Sequence, residues 1–223
     1  DAIVSNPPYS IKWAGKSNPL LINDERFAPA GVLAPESKAD LAFTMHMLSW
    51  LSQKGTAAIV QFPGVLYRGG AEQKIRKYMV DNNFVDTVIQ LPSDLFFGTS
   101  IATCILVLKK SKKTNDILFI DASNKFIRNS NKNKLSPDNI NWIIDKIKNR
   151  KGKENEPVVV VANEEVEKNN YNISVNTYIK NNLEEEKIDI KEVNKNIKEI
   201  VKRENKIRIE LDKIIQELEE DNE

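Results

Sequence analysis

Between Asp1 and about residue 126, short β-branched apolar runs alternate with amphipathic segments of helical length. That alternation constrains the chain more than any other feature, because an α/β sheet of mostly parallel strands satisfies it and little else does. Ala2-Ile3-Val4 reads as a first strand, ended by Asn6-Pro7-Pro8. After a loop from Trp13 to Glu36, Ser37 and Asp40 form an S-x-x-D capping signal. The segment behind it, with Leu41, Phe43, Met45, Met47, Leu48, Trp50 and Leu51, is apolar on more than one side, which predicts a deeply buried helix. Gly55 punctuates, residues 56 to 62 read as an interior strand, and Pro63-Gly64 closes it. Gly69-Gly70 precedes a helix with Ile75, Tyr78 and Met79 on one face. Residues 85 to 91 and 101 to 108 are two further strands. The connection from Pro92 to Ser100 is too short for a crossover helix, so these two are antiparallel. The expectation for residues 1 to 126 is a parallel sheet finished by an antiparallel hairpin.

Past Leu118-Phe119-Ile120 the composition shifts to Asn and Lys. A mixed extension covers 127 to 179. In it Ser136 as N-cap and Pro137 in the first turn open a helix striped by Ile140, Ile143, Ile144 and Ile147. Residues 158 to 161 suggest another strand, and 171 to 179 an extended segment. From 180 to 223 the chain reads as one long helix. Ile190, Val193, Ile197, Ile200, Ile207, Leu211, Ile214 and Leu218 follow an alternating three-and-four register, the seam of a coiled coil. Glu204 interrupts it and is placed to set register or partner choice.

Charge separates the regions further. Residues 109 to 153 hold 13 Lys and Arg against 4 Asp and Glu, whereas 180 to 223 hold 10 against 14. The first stretch suits a polyanion and the second is an acidic, separate surface, although solvated charge accounts for either run. No apolar run approaches the roughly 18 residues that span a bilayer, which argues against a membrane protein. A single cysteine, Cys104, and a single histidine, His46, exclude a disulfide framework and a cysteine- or histidine-built metal site, so no metal is expected. A reducing, cytoplasmic setting is the simplest reading. Cys104 sits in an apolar strand and His46 in a helix among Met and Phe, where packing roles are expected of both. None of the 8 glycines forms G-x-G or a P-loop, so a nucleotide cradle is not expected in these residues.

The sharpest local signal is Asn6-Pro7-Pro8-Tyr9, directly after an apolar strand. Each position suits one chemistry, the activation of an adenine amine. That nitrogen is a poor nucleophile because its lone pair is delocalised into the ring. Two acceptors on its N–H groups favour a more tetrahedral nitrogen and stabilise the positive charge that develops during attack on a methyl group. The Asn6 side-chain oxygen and the Pro7 carbonyl are the two acceptors. Consecutive prolines fix φ and remove two donors, and Tyr9 offers a face for a base rotated out of a duplex. A strand-ending turn with a packed Tyr is the competing account of the four residues alone.

Longer blocks decide between them. Asn6-Pro7-Pro8-Tyr9 is followed in order by Ser37-Lys38-Ala39-Asp40-Leu41-Ala42-Phe43 and by Pro63-Gly64-Val65-Leu66-Tyr67-Arg68-Gly69-Gly70-Ala71-Glu72. Leu91-Pro92-Ser93-Asp94-Leu95-Phe96-Phe97-Gly98-Thr99 comes next, then Thr103-Cys104-Ile105-Leu106-Val107-Leu108, Phe119-Ile120-Asp121-Ala122-Ser123 and Tyr171-Asn172-Ile173. In these blocks the sequence resembles the N6-adenine DNA methyltransferases, and among them the modification subunits of type I restriction-modification systems. The resemblance implies a Rossmann-like methyltransferase sheet, of which this is the C-terminal half, with S-adenosyl-L-methionine as cofactor. In that family the cofactor's glycine-rich loop and acidic residue belong to the first two strands, which are expected upstream of Asp1. The residues here are then expected to be inactive alone and to hold no cofactor-binding residue.

The resemblance also implies partners: double-stranded DNA, a specificity subunit met by the C-terminal helix, and a restriction and translocation subunit in the full complex. Arg68, Gly69 and Gly70 are candidates for a DNA phosphate at a helix N-terminus, with a plain helix-entry turn as the alternative. Phe96 and Phe97 are candidates for contact with the flipped base or the gap it leaves, with core packing of at least one as the alternative. Lys109 and Lys110, with Lys112 and Lys113 after them, are the expected backbone contacts. Against the enzyme reading stands a non-catalytic module for assembly and DNA binding.

Overall fold

A computed structural model describes residues 1–152, 156–179 and 190–220, and the chain divides into two units, Asp1–Asn181 and Asn182–Glu223. The first unit contains β1 (Ala2–Ser5), α1 (Asp40–Trp50), β2 (Thr56–Gln61), α2 (Ala71–Asp81), β3 (Val85–Gln90), β4 (Cys104–Lys109), β5 (Asp116–Asp121), β6 (Ile127–Asn129), β7 (Lys132–Lys134), α3 (Pro137–Asn149), β8 (Val158–Ala162), α4 (Asn163–Lys168) and α5 (Val175–Tyr178). Six strands form one sheet in the order β1-β2-β4-β3-β5-β8, while β6 and β7 make a separate hairpin. β1 with β2 and β3 with β5 are parallel pairs, and β4 is antiparallel to both β2 and β3. β8 runs antiparallel to β5. Thus β1, β2, β3 and β5 point one way.

β3 and β4 are antiparallel, but they do not finish the sheet. β4 inserts between β2 and β3, and β5 and β8 extend the sheet beyond them. The physical reason is that β4 is apolar on both faces. Leu106 and Leu108 join the core on one side and Val107 the core on the other, and only a central strand covers both faces. The same alternation sends Val88 and Phe119 to the larger core and Ile89 and Leu118 to the smaller one, which α3 covers through Ile143. α3 opens on a capping box: Ser136 Oγ accepts from the Asn139 amide at 3.2 Å, and Asn139 Oδ1 accepts from the Ser136 amide at 3.0 Å.

α1 is deeply buried through Leu41, Ala42, Met45, Met47 and Leu48, with Trp50 at its end 75% exposed. Two local expectations are corrected. The N-cap of α1 is Ala39 and makes no side-chain cap, so Ser37 does not perform that role. Residues 175 to 178 form the short helix α5 rather than an extended segment. It packs Tyr178 against Phe119, with ring centroids 4.4 Å apart, which an extended chain could not bring about while also placing Val175 in the core.

The first unit is closed by Arg76 of α2, which is 1% exposed. Its Nε donates to the Tyr171 carbonyl at 2.7 Å and its Nη1 to the Val65 carbonyl at 2.9 Å. Burial lowers its pKa to about 10, opposed by the neighbouring Glu72 carboxylate, and at that value the guanidinium remains charged at neutral pH. The second unit is α6 (Ile190–Glu220), a single helix. Ile197, Ile200, Ile207 and Leu211 of the expected seam are exposed along it. The side chains of Ile190, Val193, Ile214 and Leu218 lie outside the described residues, as do residues 180 to 189 of the expected long helix. Among the described residues no helix is long and apolar enough to cross a membrane.

Arg76→Leu orphans two buried carbonyls and removes a buried charge near Glu72, which keeps its pairing with Arg68. Unfolding in urea should show a loss of about 3 kcal/mol, and a midpoint unchanged from wild type would show that Arg76 does not hold the unit together.

Candidate active site

The four parallel strands deliver their carboxyl ends to one edge of the sheet, where open α/β sheets form their sites. Asn6 follows β1 there, Phe62 follows β2, Leu91 follows β3 and Ala122 follows β5. Asn6 and Pro8 are exposed, Pro7 is buried and Tyr9 is half-buried. The Tyr9 hydroxyl donates to Asn6 Oδ1 at 2.7 Å. Burial first, then the neighbouring Cys104 and Asp40, push the Tyr9 phenol above its ordinary pKa, so it stays a donor. The turn leaves Tyr9 through Ser10, whose φ of 52° lies in the left-handed region.

That turn is anchored on the start of α1. The Ser10 amide donates to Asp40 Oδ1 at 2.9 Å, and the Ala39 amide donates to the Ile11 carbonyl at 2.9 Å. Asp40 is 1% exposed, and its other oxygen, Oδ2, has no protein partner among the described residues. Gln61, the last residue of β2, donates from Nε2 to Thr44 Oγ1 at 2.6 Å and to the Asp40 carbonyl at 3.4 Å. Gln61 Oε1 and Thr103 Oγ1 are likewise buried without a protein partner. A polar floor of Asp40, Thr44, Gln61 and Thr103 therefore lies at the same edge as Asn6. Cys104 borders it, donating to the Gln61 carbonyl at 3.5 Å. Burial pushes its thiol up to about 12, so it carries almost no thiolate at neutral pH.

The other candidate residues separate into those at this edge and those away from it. Phe96 and Phe97 are in the loop over the carboxyl ends of β3 and the start of β4. Phe96 is half-buried and Phe97 is 93% exposed. Arg68 also lies at this edge, but its guanidinium is committed. It lies 5.0 Å from the Phe62 ring centroid and 3.5 Å from the Glu72 carboxylate. It also covers Gly64, where a Cβ would come within 2.5 Å of Arg68 Cζ. Gly70, with φ 68° and ψ −131°, provides the entry to α2, and Glu72 already supplies a carboxylate to the first turn. Gly69 and Gly70 thus lead the chain from Arg68 into α2.

Lys109 and Lys110 are at the opposite edge. β4 descends from the site, so Cys104 pairs with Gln61 while Lys109 pairs with Thr56 at the start of β2. Lys109 Nζ lies 3.1 Å from Asp86 Oδ2, and Lys110 Nζ donates to the Leu51 carbonyl at 2.6 Å. Lys112 Nζ donates to the Val85 and Asp116 carbonyls. These lysines close carbonyl ends far from Asn6, and the expected backbone contact at Lys109 and Lys110 is not supported by their position. His46 is half-buried and its Nδ1 lies 3.4 Å from Arg26 Nη1, beside a small apolar cavity lined by Ile11, Trp13, Phe27 and Phe43.

Asp40, Gln61 and Thr103 were not singled out by sequence pattern. A glutamine ending an apolar strand was the one available signal for Gln61, whereas Asp40 was read as part of a cap. No group of three or more His, Cys, Asp or Glu fit to hold a metal occurs among the described residues. The loops at this edge present an acceptor for an amine, not a glycine-rich cradle for a methyl donor, so these residues do not by themselves fit S-adenosyl-L-methionine.

The family model described as N-6 DNA Methylase matches residues 1–187. The MpnII methylase subunit of a type I restriction enzyme from Mycoplasma pneumoniae is 51% identical over 99% of this chain, which spans 41% of that relative. The MjaVII methylase subunit from Methanocaldococcus jannaschii is 32% identical over 96% of this chain, which spans 38% of it. A crystal structure of a type I restriction-modification methyltransferase subunit from Streptococcus thermophilus superposes with a TM-score of 0.77 at 40% identity, covering 80% of this chain and 38% of that one. The chain thus spans about two-fifths of the length of these relatives. The family model's match to residues 1–187 shows that the chain belongs to the N-6 DNA methylase family, and within it the chain is similar to methylase subunits of type I restriction enzymes.

Proposed function

We propose that this chain is the base-binding part of a site-specific adenine-N6 DNA methyltransferase that acts with S-adenosyl-L-methionine. The observation that carries the reading is the anchored turn: Asn6 and Tyr9 joined by a hydrogen bond and Ser10 held by the buried Asp40. Asn6 Oδ1 has two lone pairs, and the Tyr9 hydroxyl takes one. The other is open to an N–H of the adenine amine, with the Pro7 carbonyl as the second acceptor. Neither Asn6 nor a proline carbonyl can remove a proton at neutral pH, so the site works by position and polarity. The S-adenosyl-L-methionine cradle is assigned to the part of the relatives' length that this chain does not span.

Isothermal titration of this chain with S-adenosyl-L-methionine should show no binding in the micromolar range, and a micromolar Kd would overturn the assignment of the cradle elsewhere. In the intact subunit, Asn6→Ala should lower kcat for adenine methylation by about 100-fold or more, the size of losing one such polar contact. Tyr9→Phe keeps the ring and loses the bond to Asn6, so a smaller loss of about 10-fold is expected from one hydrogen bond. Asp40→Ala should act through the turn, lowering kcat, with Asp40→Asn restoring much of it because its side-chain oxygen still accepts from Ser10. Methylation indifferent to Asn6→Ala and Tyr9→Ala would favour the assembly module instead.

The exposed stripe on α6 supports a second role beside the first. Ile200, Ile207 and Leu211 line one groove with Arg203, Glu204 and Arg208, a pattern that pairs with another helix. The partner proposed is the specificity subunit, with the restriction subunit joining the same complex in the cytoplasm. Ile200→Lys with Ile207→Lys should abolish copurification of the intact methylase subunit with the specificity subunit, and an unchanged complex would remove the helix from that role.

A further inference from the structure

We infer that the β6–β7 hairpin is the surface by which this chain grips the phosphate backbone of duplex DNA beside the base at Asn6. The inference rests on the methyltransferase reading above and adds the contact that Lys109 and Lys110 are not placed to make. Between Ala122 and Ser136 the chain carries Lys125, Arg128, Lys132 and Lys134 and no carboxylate. This segment leaves the carboxyl end of β5, so it rises from the same edge as Asn6.

The hairpin is fastened to the loop that presents Phe97. The Asn133 amide donates to the Asp94 carbonyl at 3.0 Å, its Nδ2 to the Ser93 carbonyl at 2.9 Å, and Lys132 Nζ to the Thr99 carbonyl at 3.1 Å. Basic side chains and an exposed aromatic are thereby held on one rigid piece. Their charge is only partly met. Asp94 lies 3.8 Å from both Arg128 and Lys132, and a single carboxylate cannot neutralise two cations. Lys125 packs over the Trp142 ring at 4.6 Å. Lys134 is exposed and has no carboxylate within ion-pair distance among the described residues. Arg128 is 54% exposed in its side chain, and its Nε and Nη1 bond to the Ser130 carbonyl and Asn133 Oδ1, which fixes its direction.

The spacing suits a duplex. β1 and β5 are separated by four inter-strand steps, or about 19 Å at the usual spacing. At about 3.4 Å per base pair that is five to six pairs, and the hairpin, which leaves β5 and bonds to the β3–β4 loop, lies within that reach of Asn6 along the edge. Asn124, Asn129 and Asn131 add amide donors, which serve phosphate as well as cations do. An acidic protein surface is the other partner for such a patch, but a duplex must already lie along this edge to deliver its base.

The test uses the intact subunit in its DNA-binding complex, with affinity measured across a salt series. Arg128→Ala and Lys134→Ala should each reduce the slope of log K against log salt by about 0.9, the value for one phosphate contact, equally on specific and unrelated sequences. Lys54→Ala, at the opposite edge, should leave it unchanged. Among the described residues the Lys134 side chain has no ion-pair partner to lose, so its variant should fold normally, and melting curves check this for both. Unaltered slopes in both hairpin variants would overturn the inference, as would weakened subunit assembly with the slopes intact. Asn6→Ala in the same assay separates the two readings: methylation lost with a normal slope upholds the site independently, whereas methylation retained removes the base-binding reading whatever the hairpin does.

Discussion

Strand direction is the constraint on which the rest depends. Parallel strands need crossovers that return the chain to its starting edge, so β1, β2, β3 and β5 all discharge their carboxyl ends on one side. The Asn6 turn, Arg68, the Phe97 loop and the β6–β7 hairpin gather there for that reason alone. β4 is the exception that proves informative. Its six residues carry the chain about 20 Å from Thr103 at the site to Lys109 at the far edge. Residues close in sequence are thereby split between the edge that carries the Asn6 turn and the edge opposite to it.

Beneath the turn the fold accepts a cost. The two cores are lined by aliphatic and aromatic side chains, but Asp40, Gln61 and Thr103 each bury an oxygen without a protein partner among the described residues, as Asn163 does at the opposite edge. Each such group costs about 1 to 3 kcal/mol, and groups of that kind concentrate where function overrides packing. Part of the cost is offset because Asp40 stands in the first turn of α1, where the helix dipole favours a carboxylate. The return is geometric. A left-handed Ser10 is sustained only if its amide has a fixed acceptor, and Asp40 Oδ1 provides one.

How far these features could be read in advance follows from how local they are. The burial alternation of β2 and the stripe of α3 are set by neighbours two to four residues away, and the Ser136 capping box is complete within four residues. Ser37 and Asp40 fit the same local pattern, yet a competing donor at Ser10, thirty positions earlier, captured the Asp40 side chain. No window centred on the helix contains that donor. The central place of β4 was implicit in its two apolar faces, but choosing β2 as its second partner required the whole sheet. Lys109 and Lys110 show the same limit: charge density is legible in a sequence, whereas the edge that carries it depends on strand direction.

The pairing of Tyr9 with Asn6 bears on what an asparagine can do at such a site. A free carboxamide presents either its oxygen or its NH₂ group to a ligand, and only the oxygen helps an amine that must donate. The Tyr9 phenol is protonated at neutral pH, and its hydroxyl donates to Asn6 Oδ1, which holds the carboxamide with its oxygen on the tyrosine side. In the proposed reaction the aromatic residue then orients the acceptor as well as offering a stacking face. An aspartate at position 6 would bring a full charge and two equivalent oxygens, with no need for such orientation, but it would also compete for the proton that the amine must finally release to water.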